Sequence, residues 1–201
     1  MQPHLNELFT LKDLLVRKSL TFGDIKLSSG GTSKVYVDGK LTTCLAQAMP
    51  LVGRAFLHKM EEEGWTPDAV GGLTLGADPI AIAIARESLA TSSAINAFIV
   101  RKAAKEHGKH RLIEGIENPE GRRVVIIDDV CTKGGSTAQA IEAAQKNSMK
   151  VLGAICLVDR QEGAAEFLQR EFNLHLASIL TLADLLAHKE QIDAEPIATA
   201  G

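Results

Sequence analysis

Apolar residues recur at helical spacing in residues 5–18, where Leu5, Leu8, Phe9, Leu11, Leu14, Leu15 and Val16 form one stripe. The spacing predicts an opening helix. Residues 20–38 alternate on either side of Ser28-Ser29-Gly30-Gly31, the pattern of a β-hairpin. Between 42 and 63, Leu45, Met49, Val52, Phe56 and Met60 predict one amphipathic helix closed by Gly64. From there the pattern alternates. Strands are expected at 69–75, 95–100, 124–127, 151–158 and 175–180, and helices at 79–88, 138–146 and 163–172. Residues 101–122 are charged and irregular. Thr181 and Asp184 are spaced as a capping box before a last helix, and about 189–201 reads as a loose tail.

Strands that alternate with helices imply an α/β fold, a doubly wound and mainly parallel sheet flanked by helices, behind a small N-terminal helix and hairpin subdomain. Val124, Val125, Ile126 and Ile127 are four β-branched residues in a row, as suits a strand buried on both faces. At 201 residues the chain is long enough for one domain with a sizeable core.

The chemistry concentrates after that run. Asp128 and Asp129 lie at its carboxyl end, where open α/β sheets bind ligands. A loop with two glycines and three hydroxyl residues follows, Val130-Cys131-Thr132-Lys133-Gly134-Gly135-Ser136-Thr137, and leads into the helix expected from Ala138. Backbone N–H groups entering a helix suit a phosphate. Carboxylates repel phosphate and suit hydroxyls or a divalent cation. The pattern therefore asks for a sugar phosphate. It is not a Walker loop, because Lys133 precedes the glycines, and the G-x-G-x-x-G spacing is absent.

This segment resembles the motif by which type I phosphoribosyltransferases hold 5-phosphoribosyl 1-diphosphate (PRPP). The resemblance implies that Asp128 and Asp129 contact the ribose hydroxyls and that Thr132 to Thr137 hold the 5-phosphate. Arg101-Lys102-Ala103-Ala104-Lys105-Glu106-His107-Gly108 is similar to the mobile-loop signature of orotate phosphoribosyltransferases. Family likeness implies that Arg101, Lys102, Lys105 and His107 meet the diphosphate, often in the neighbouring subunit's site. Asp159-Arg160-Gln161-Glu162-Gly163 resembles the stretch whose arginine grips the orotate carboxylate; a guanidinium can do so with two hydrogen bonds. On the same resemblance Thr132 lies beside orotate. Residues 27–38 resemble the segment covering the base, and 72–79 the diphosphate loop.

The likeness runs in order from about residue 8 to 188 and implies a base-covering subdomain over about 1–40 and a PRPP-binding core over about 41–188. Ser28 and Gly31 stand where basic residues are common, Leu75-Gly76 where some members have Tyr-Lys, and Lys133 where a small residue is usual. The implied activity is transfer of ribose 5-phosphate from PRPP to orotate, with Lys105, His107, Asp128 and Asp129 as the catalytic set. Mg²⁺ is expected as cofactor, held mainly by substrate and water, and a homodimer sharing the loop is expected as the assembly.

Composition narrows the alternatives. Lys+Arg number 22 against Asp+Glu 25, for a net charge of −3, which gives no general pull toward nucleic acid or anionic membrane. Residues 101–111 stand out with five basic residues and one acid. No apolar stretch spans a bilayer and no basic n-region precedes an apolar run. Cys44, Cys131 and Cys156 form no C-x-x-C pair and read as reduced thiols of a cytoplasmic protein. Transfer to a different base, and a PRPP-sensing regulator that binds nucleic acid, remain as alternative readings, because fold alone does not decide substrate.

Overall fold

The apolar run 124–127 forms the middle of a strand, Arg123–Cys131, that has a strand on either side. The computed structural model describes residues 3–26, 32–103 and 112–194. In order the elements are α1 (Pro3–Ser19), β1 (Leu20–Lys26), β2 (Thr32–Val37), α2 (Lys40–Thr43), α3 (Met49–Glu62), β3 (Ala69–Leu73) and α4 (Ala77–Ser88). Then come β4 (Asn96–Val100), β5 (Ile113–Glu114), β6 (Arg123–Cys131), α5 (Gly135–Lys146), β7 (Lys150–Asp159), α6 (Ala164–Phe172), β8 (Leu176–Thr181) and α7 (Leu182–Ala194).

The main sheet has the order β5-β4-β3-β6-β7-β8. Its strands are parallel except for β5, which pairs antiparallel with β4 at the edge. Along β6, side chains alternate between two cores. Val125 and Ile127 join Val52, Phe56, Ile80, Ile84 and Leu185 from α3, α4 and α7. Val124 and Ile126 join Ile141 and Leu168 from α5 and α6. Both faces are therefore covered by helices, as the doubly wound reading requires. Truncating one of these buried branched side chains, such as Ile127→Ala, costs about 2–5 kcal/mol.

The chain leaves β3 toward β4 on one side and later returns to β6 on the other. The order thus reverses between β3 and β6, and the crevice at their carboxyl ends is where a ligand belongs. The hairpin β1–β2 forms its own two-stranded antiparallel sheet, irregular between Phe22 and Ile25.

Three expectations need correction. The helix expected unbroken over 42–63 is split into α2 and α3, and α3 carries Pro50 in its first turn. Proline has no N–H to donate and is tolerated only there. Two residues in the irregular stretch 101–122 form edge strand β5, too short to show a period. Helix α7 continues to Ala194, into the stretch read as a tail. Its end carries a Lys189–Asp193 ion pair one turn apart at 2.5 Å, which supports a helix. The capping box is present: the Thr181 hydroxyl and backbone N–H both donate to Asp184 Oδ2, at 2.6 and 2.8 Å, and the Asp184 N–H donates back at 3.1 Å.

Candidate active site

Asp128 and Asp129 occupy the last part of β6, at the switch between β3 and β6. They sit in different surroundings. Asp128 is buried, 5% exposed. The hydroxyls of Ser136 and Thr137 donate to its Oδ2 at 2.7 and 2.9 Å, and the Asp129 N–H donates to its Oδ1 at 3.0 Å. Burial, then the Asp129 charge beside it, push its carboxyl up to about 6 against the hydroxyl hydrogen bonds. Asp128 thus fastens the start of α5 to the end of β6.

Asp129 faces the hairpin side. The Val130 N–H donates to its Oδ1 at 2.9 Å and the Lys40 ammonium to its Oδ2 at 3.3 Å. Lys40 also reaches Asp38 Oδ1 at 3.0 Å. Burial pulls the Lys40 ammonium down, but Asp129 and Asp38 outweigh it and hold it above its ordinary value. Two glycines make room for the carboxylate. A Cβ on Gly76 would lie 2.4 Å from Asp129 Oδ1, and one on Gly39 would lie 3.0 Å from Asp129 Cβ. Asp129 therefore sits where three segments meet: β6, the loop after β3 and the link from β2 to α2.

The loop after β6 turns at Gly134, whose φ of +79° places it in the left-handed region that glycine adopts freely. Helix α5 starts at Gly135, earlier than expected, so Ser136 and Thr137 lie in its first turn. The first N–H groups of a helix have no partner within it and can serve as anion donors. Thr132 is half-buried and Lys133 exposed. Cys131 is buried, with its sulfur 3.1 Å from the Thr137 hydroxyl. Its side chain packs in the α5–α6 core.

Arg160 stands beside the end of this motif, since its N–H donates to the Cys131 carbonyl at 2.9 Å. Its side chain is 7% exposed. It donates to Val35 O at 3.1 Å, to Ser33 Oγ at 3.1 Å and to Glu162 Oε1 at 2.8 Å. The arginine expected at the base thus also holds the hairpin that was expected to cover the base. Arg101 and Lys102 leave the carboxyl end of β4, separated from β6 by β3. Arg101 lies 3.6 Å from Glu114 and Lys102 is exposed. Lys105 and His107 lie outside the described residues, as do Ser28 and Gly31.

Among the described residues no group of three or more His, Cys, Asp or Glu side chains gathers to hold a metal ion. An open groove of about 730 Å³, lined by Trp65, Asp68, Asn96 and Arg123 among others, lies at the amino ends of the strands, away from these acids. Its Arg123 is committed to Asp68 and Thr66 at 2.9 Å each. No described helix is long and apolar enough to cross a membrane.

Residue-by-residue reading missed Lys40, Gly39 and Gly76 as parts of this site. Gly76 lies in the stretch likened to the diphosphate loop, but nothing local showed that it abuts Asp129. Lys40 stands two residues past Asp38, where the base-covering likeness ended. A lysine two residues after an acid that follows a strand is the one local signal it carries.

Comparison with known proteins follows the same geometry. The family profile for the phosphoribosyl transferase domain matches residues 45–174. The chain is 44% identical over 179 residues to the orotate phosphoribosyltransferase of Aquifex aeolicus, covering 88% of this chain and 96% of that protein. It superposes on the Mycobacterium tuberculosis H37Rv orotate phosphoribosyltransferase in complex with Fe(III) dicitrate with a TM-score of 0.78, at 41% identity over 89% of this chain and 98% of that one. Against the same protein in complex with PRPP the TM-score is 0.74, at 38% identity over 89% and 98%.

Proposed function

Because the chain belongs to the orotate phosphoribosyltransferase family, we propose that it transfers ribose 5-phosphate from PRPP to orotate, giving orotidine 5′-monophosphate and diphosphate for pyrimidine nucleotide (UMP) synthesis. The observation that carries this reading is the placing of Arg160 directly beside the Asp128–Thr137 motif, through its hydrogen bond to Cys131. In this reading the Arg160 guanidinium exchanges its bonds to Val35 O and Ser33 Oγ for two hydrogen bonds to the orotate carboxylate, next to the sugar-phosphate cradle. A hypoxanthine or adenine ring has no carboxylate for it.

In this reading the 5-phosphate rests on the N–H groups of Gly134 to Thr137. The ribose hydroxyls donate to Asp129, and Thr132 lies between phosphate and base. A ring nitrogen of orotate attacks C1 while diphosphate departs from the opposite face. Positive charge develops on the sugar, and the Asp128–Asp129 pair beneath it favours that charge. Arg101, Lys102, Lys105 and His107 neutralise the departing diphosphate. No protein nucleophile is required, so positioning and electrostatics carry the rate. Closure of the basic loop keeps water from the activated sugar.

Asp128 is committed to Ser136 and Thr137, and Asp129 to Lys40. This donor set fits a cation held by diphosphate and water rather than by a protein cage. When bound, Mg²⁺ supplies charge neutralisation on the leaving group. A homodimer is supported by three exposed apolar side chains along α4 and at its two ends: Leu75 in the loop before it, Ile82 within it and Leu89 at its C-cap, at 68, 53 and 69% exposed. A second copy seated on that face would lie next to the loop that opens α4. Three free cysteines suit a reducing cytoplasm.

The direct test is PRPP-dependent turnover of orotate with and without Mg²⁺, beside a screen of free purines and pyrimidines. Mg²⁺-dependent orotidine 5′-monophosphate formation is expected. Good turnover of a purine with none of orotate would reject the reading.

A further inference from the structure

Lys40 is the described cation whose ammonium contacts Asp129, and it stands at the start of α2, just after the hairpin, not on the main sheet. Its side chain is 43% exposed and that of Asp129 12%. It bridges Asp38 Oδ1 at 3.0 Å and Asp129 Oδ2 at 3.3 Å. The Lys40 N–H also donates to Asp38 Oδ1 at 3.2 Å, which fixes the turn on which the lysine stands. A carboxylate has about four acceptor positions. On Asp129 one is taken by the Val130 N–H and one by Lys40, and Gly39 and Gly76 close it in on two sides. What remains free is a defined pair of lone-pair directions, as a vicinal diol needs.

We propose that Lys40 is the positioning residue of the PRPP site: bridged to Asp38, it holds the Asp129 carboxylate in the orientation that accepts the ribose hydroxyls, and so couples the hairpin subdomain to the sugar. This rests on the reading of the site as a PRPP site. Lys40 acts through Asp129 and does not itself touch the reacting atoms. Its loss therefore weakens PRPP while leaving the base subsite, built on Arg160 and Thr132, largely as it was. Arginine at this position can still reach a carboxylate and should restore much of the effect.

The test is a double-mutant cycle on the full-length protein, with PRPP affinity read by calorimetry and KM and kcat read with orotate. Lys40→Met should raise the PRPP dissociation constant about tenfold, a change of about 1.4 kcal/mol, with the orotate KM at saturating PRPP within about twofold of wild type. Lys40→Arg should recover most of the loss. In an Asp129→Asn background, Lys40→Met should change PRPP affinity by less than about twofold, because the residue it acts through is already altered. Melting temperature checks folding. If Lys40→Met does not fold, Asp38→Asn, which removes the other anchor of the ammonium, should show a partial version of the same PRPP effect and the same dependence on Asp129. Additive losses in the cycle, or unchanged PRPP affinity in Lys40→Met or Asp38→Asn, overturn the role of Lys40 alone. A wild-type protein that binds no PRPP overturns the reading of the site as well.

Discussion

The Arg160 guanidinium donates to Ser33 Oγ at 3.1 Å across 127 positions of sequence. With its bond to Val35 O at 3.1 Å, this makes one buried side chain the fastening between the end of β7 and the hairpin. Lysine keeps the charge but loses the fork. Arg160→Lys should raise the orotate KM about ten- to a hundredfold, the range for losing hydrogen bonds from a charged donor. The β2 amides should also exchange faster with solvent. Ser33→Ala removes one neutral acceptor and should change the same constant only about two- to tenfold. A near-normal orotate KM in Arg160→Lys would remove this arginine from base recognition.

Gly76 tests the packing around Asp129. Its backbone is helical, with φ of −63° and ψ of −45°, so alanine is not strained there. The added methyl instead meets Asp129 Oδ1 at 2.4 Å and Cγ at 2.8 Å. Gly76→Ala should lower stability by about 1–3 kcal/mol, the usual effect of overpacking, and weaken PRPP more than orotate. Thermal melting and separate titrations of the two ligands would measure both. Unchanged PRPP affinity would mean that the Asp129 carboxylate does not face the sugar.

The exposed apolar side chains along α4 make a prediction about assembly. Wild-type protein should sediment as a dimer, and Ile82→Glu, which places a charge among them, should sediment as a monomer. If the basic loop serves the neighbouring site, mixing Lys105→Ala with Asp129→Asn should restore activity through heterodimers with one intact site. Random pairing of symmetric dimers sets the ceiling at about a quarter of wild type. No recovery after mixing, with dimers present, would place the loop in its own subunit's site.

Much of this architecture is legible in the chain because local pattern and tertiary role agree. Val124 to Ile127 reads as a buried strand and is one, with alternate side chains in the two cores. The Thr181–Asp184 capping box depends on residues one turn apart and is found as expected. What stayed hidden depends on distance. Lys40 meets Asp129 across 89 positions, and neither residue carries a mark of the other. The division of labour between the acids is equally invisible. Asp128 and Asp129 are adjacent, yet one is held by Ser136 and Thr137 and the other by Lys40. The break between α2 and α3 was in principle readable, since Pro50 interrupts the helical pattern, but the apolar spacing of Leu45 and Met49 masked it.

That division gives Asp128 a pH signature. Burial and the neighbouring Asp129 charge raise its carboxyl to about 6 in the folded protein, against 3.8 for an unperturbed carboxyl. Between those values the folded state holds a proton that the unfolded state has released. Stability therefore falls as pH rises through this window, and the penalty is fully present above it. A shift of this size corresponds to about 3 kcal/mol. Asparagine does not titrate, and its carbonyl can still accept from Ser136 and Thr137. It loses the acceptor for the Asp129 N–H, which offsets its stability by an amount that does not vary with pH. The unfolding free energy of Asp128→Asn minus that of wild type should therefore be flat below about pH 4, rise in favour of asparagine up to about pH 6 and level off above it. Denaturant unfolding across that range measures the difference directly. A difference that stays constant with pH would show that burial does not hold the Asp128 carboxyl up, and that its hydroxyl partners offset the loss of water.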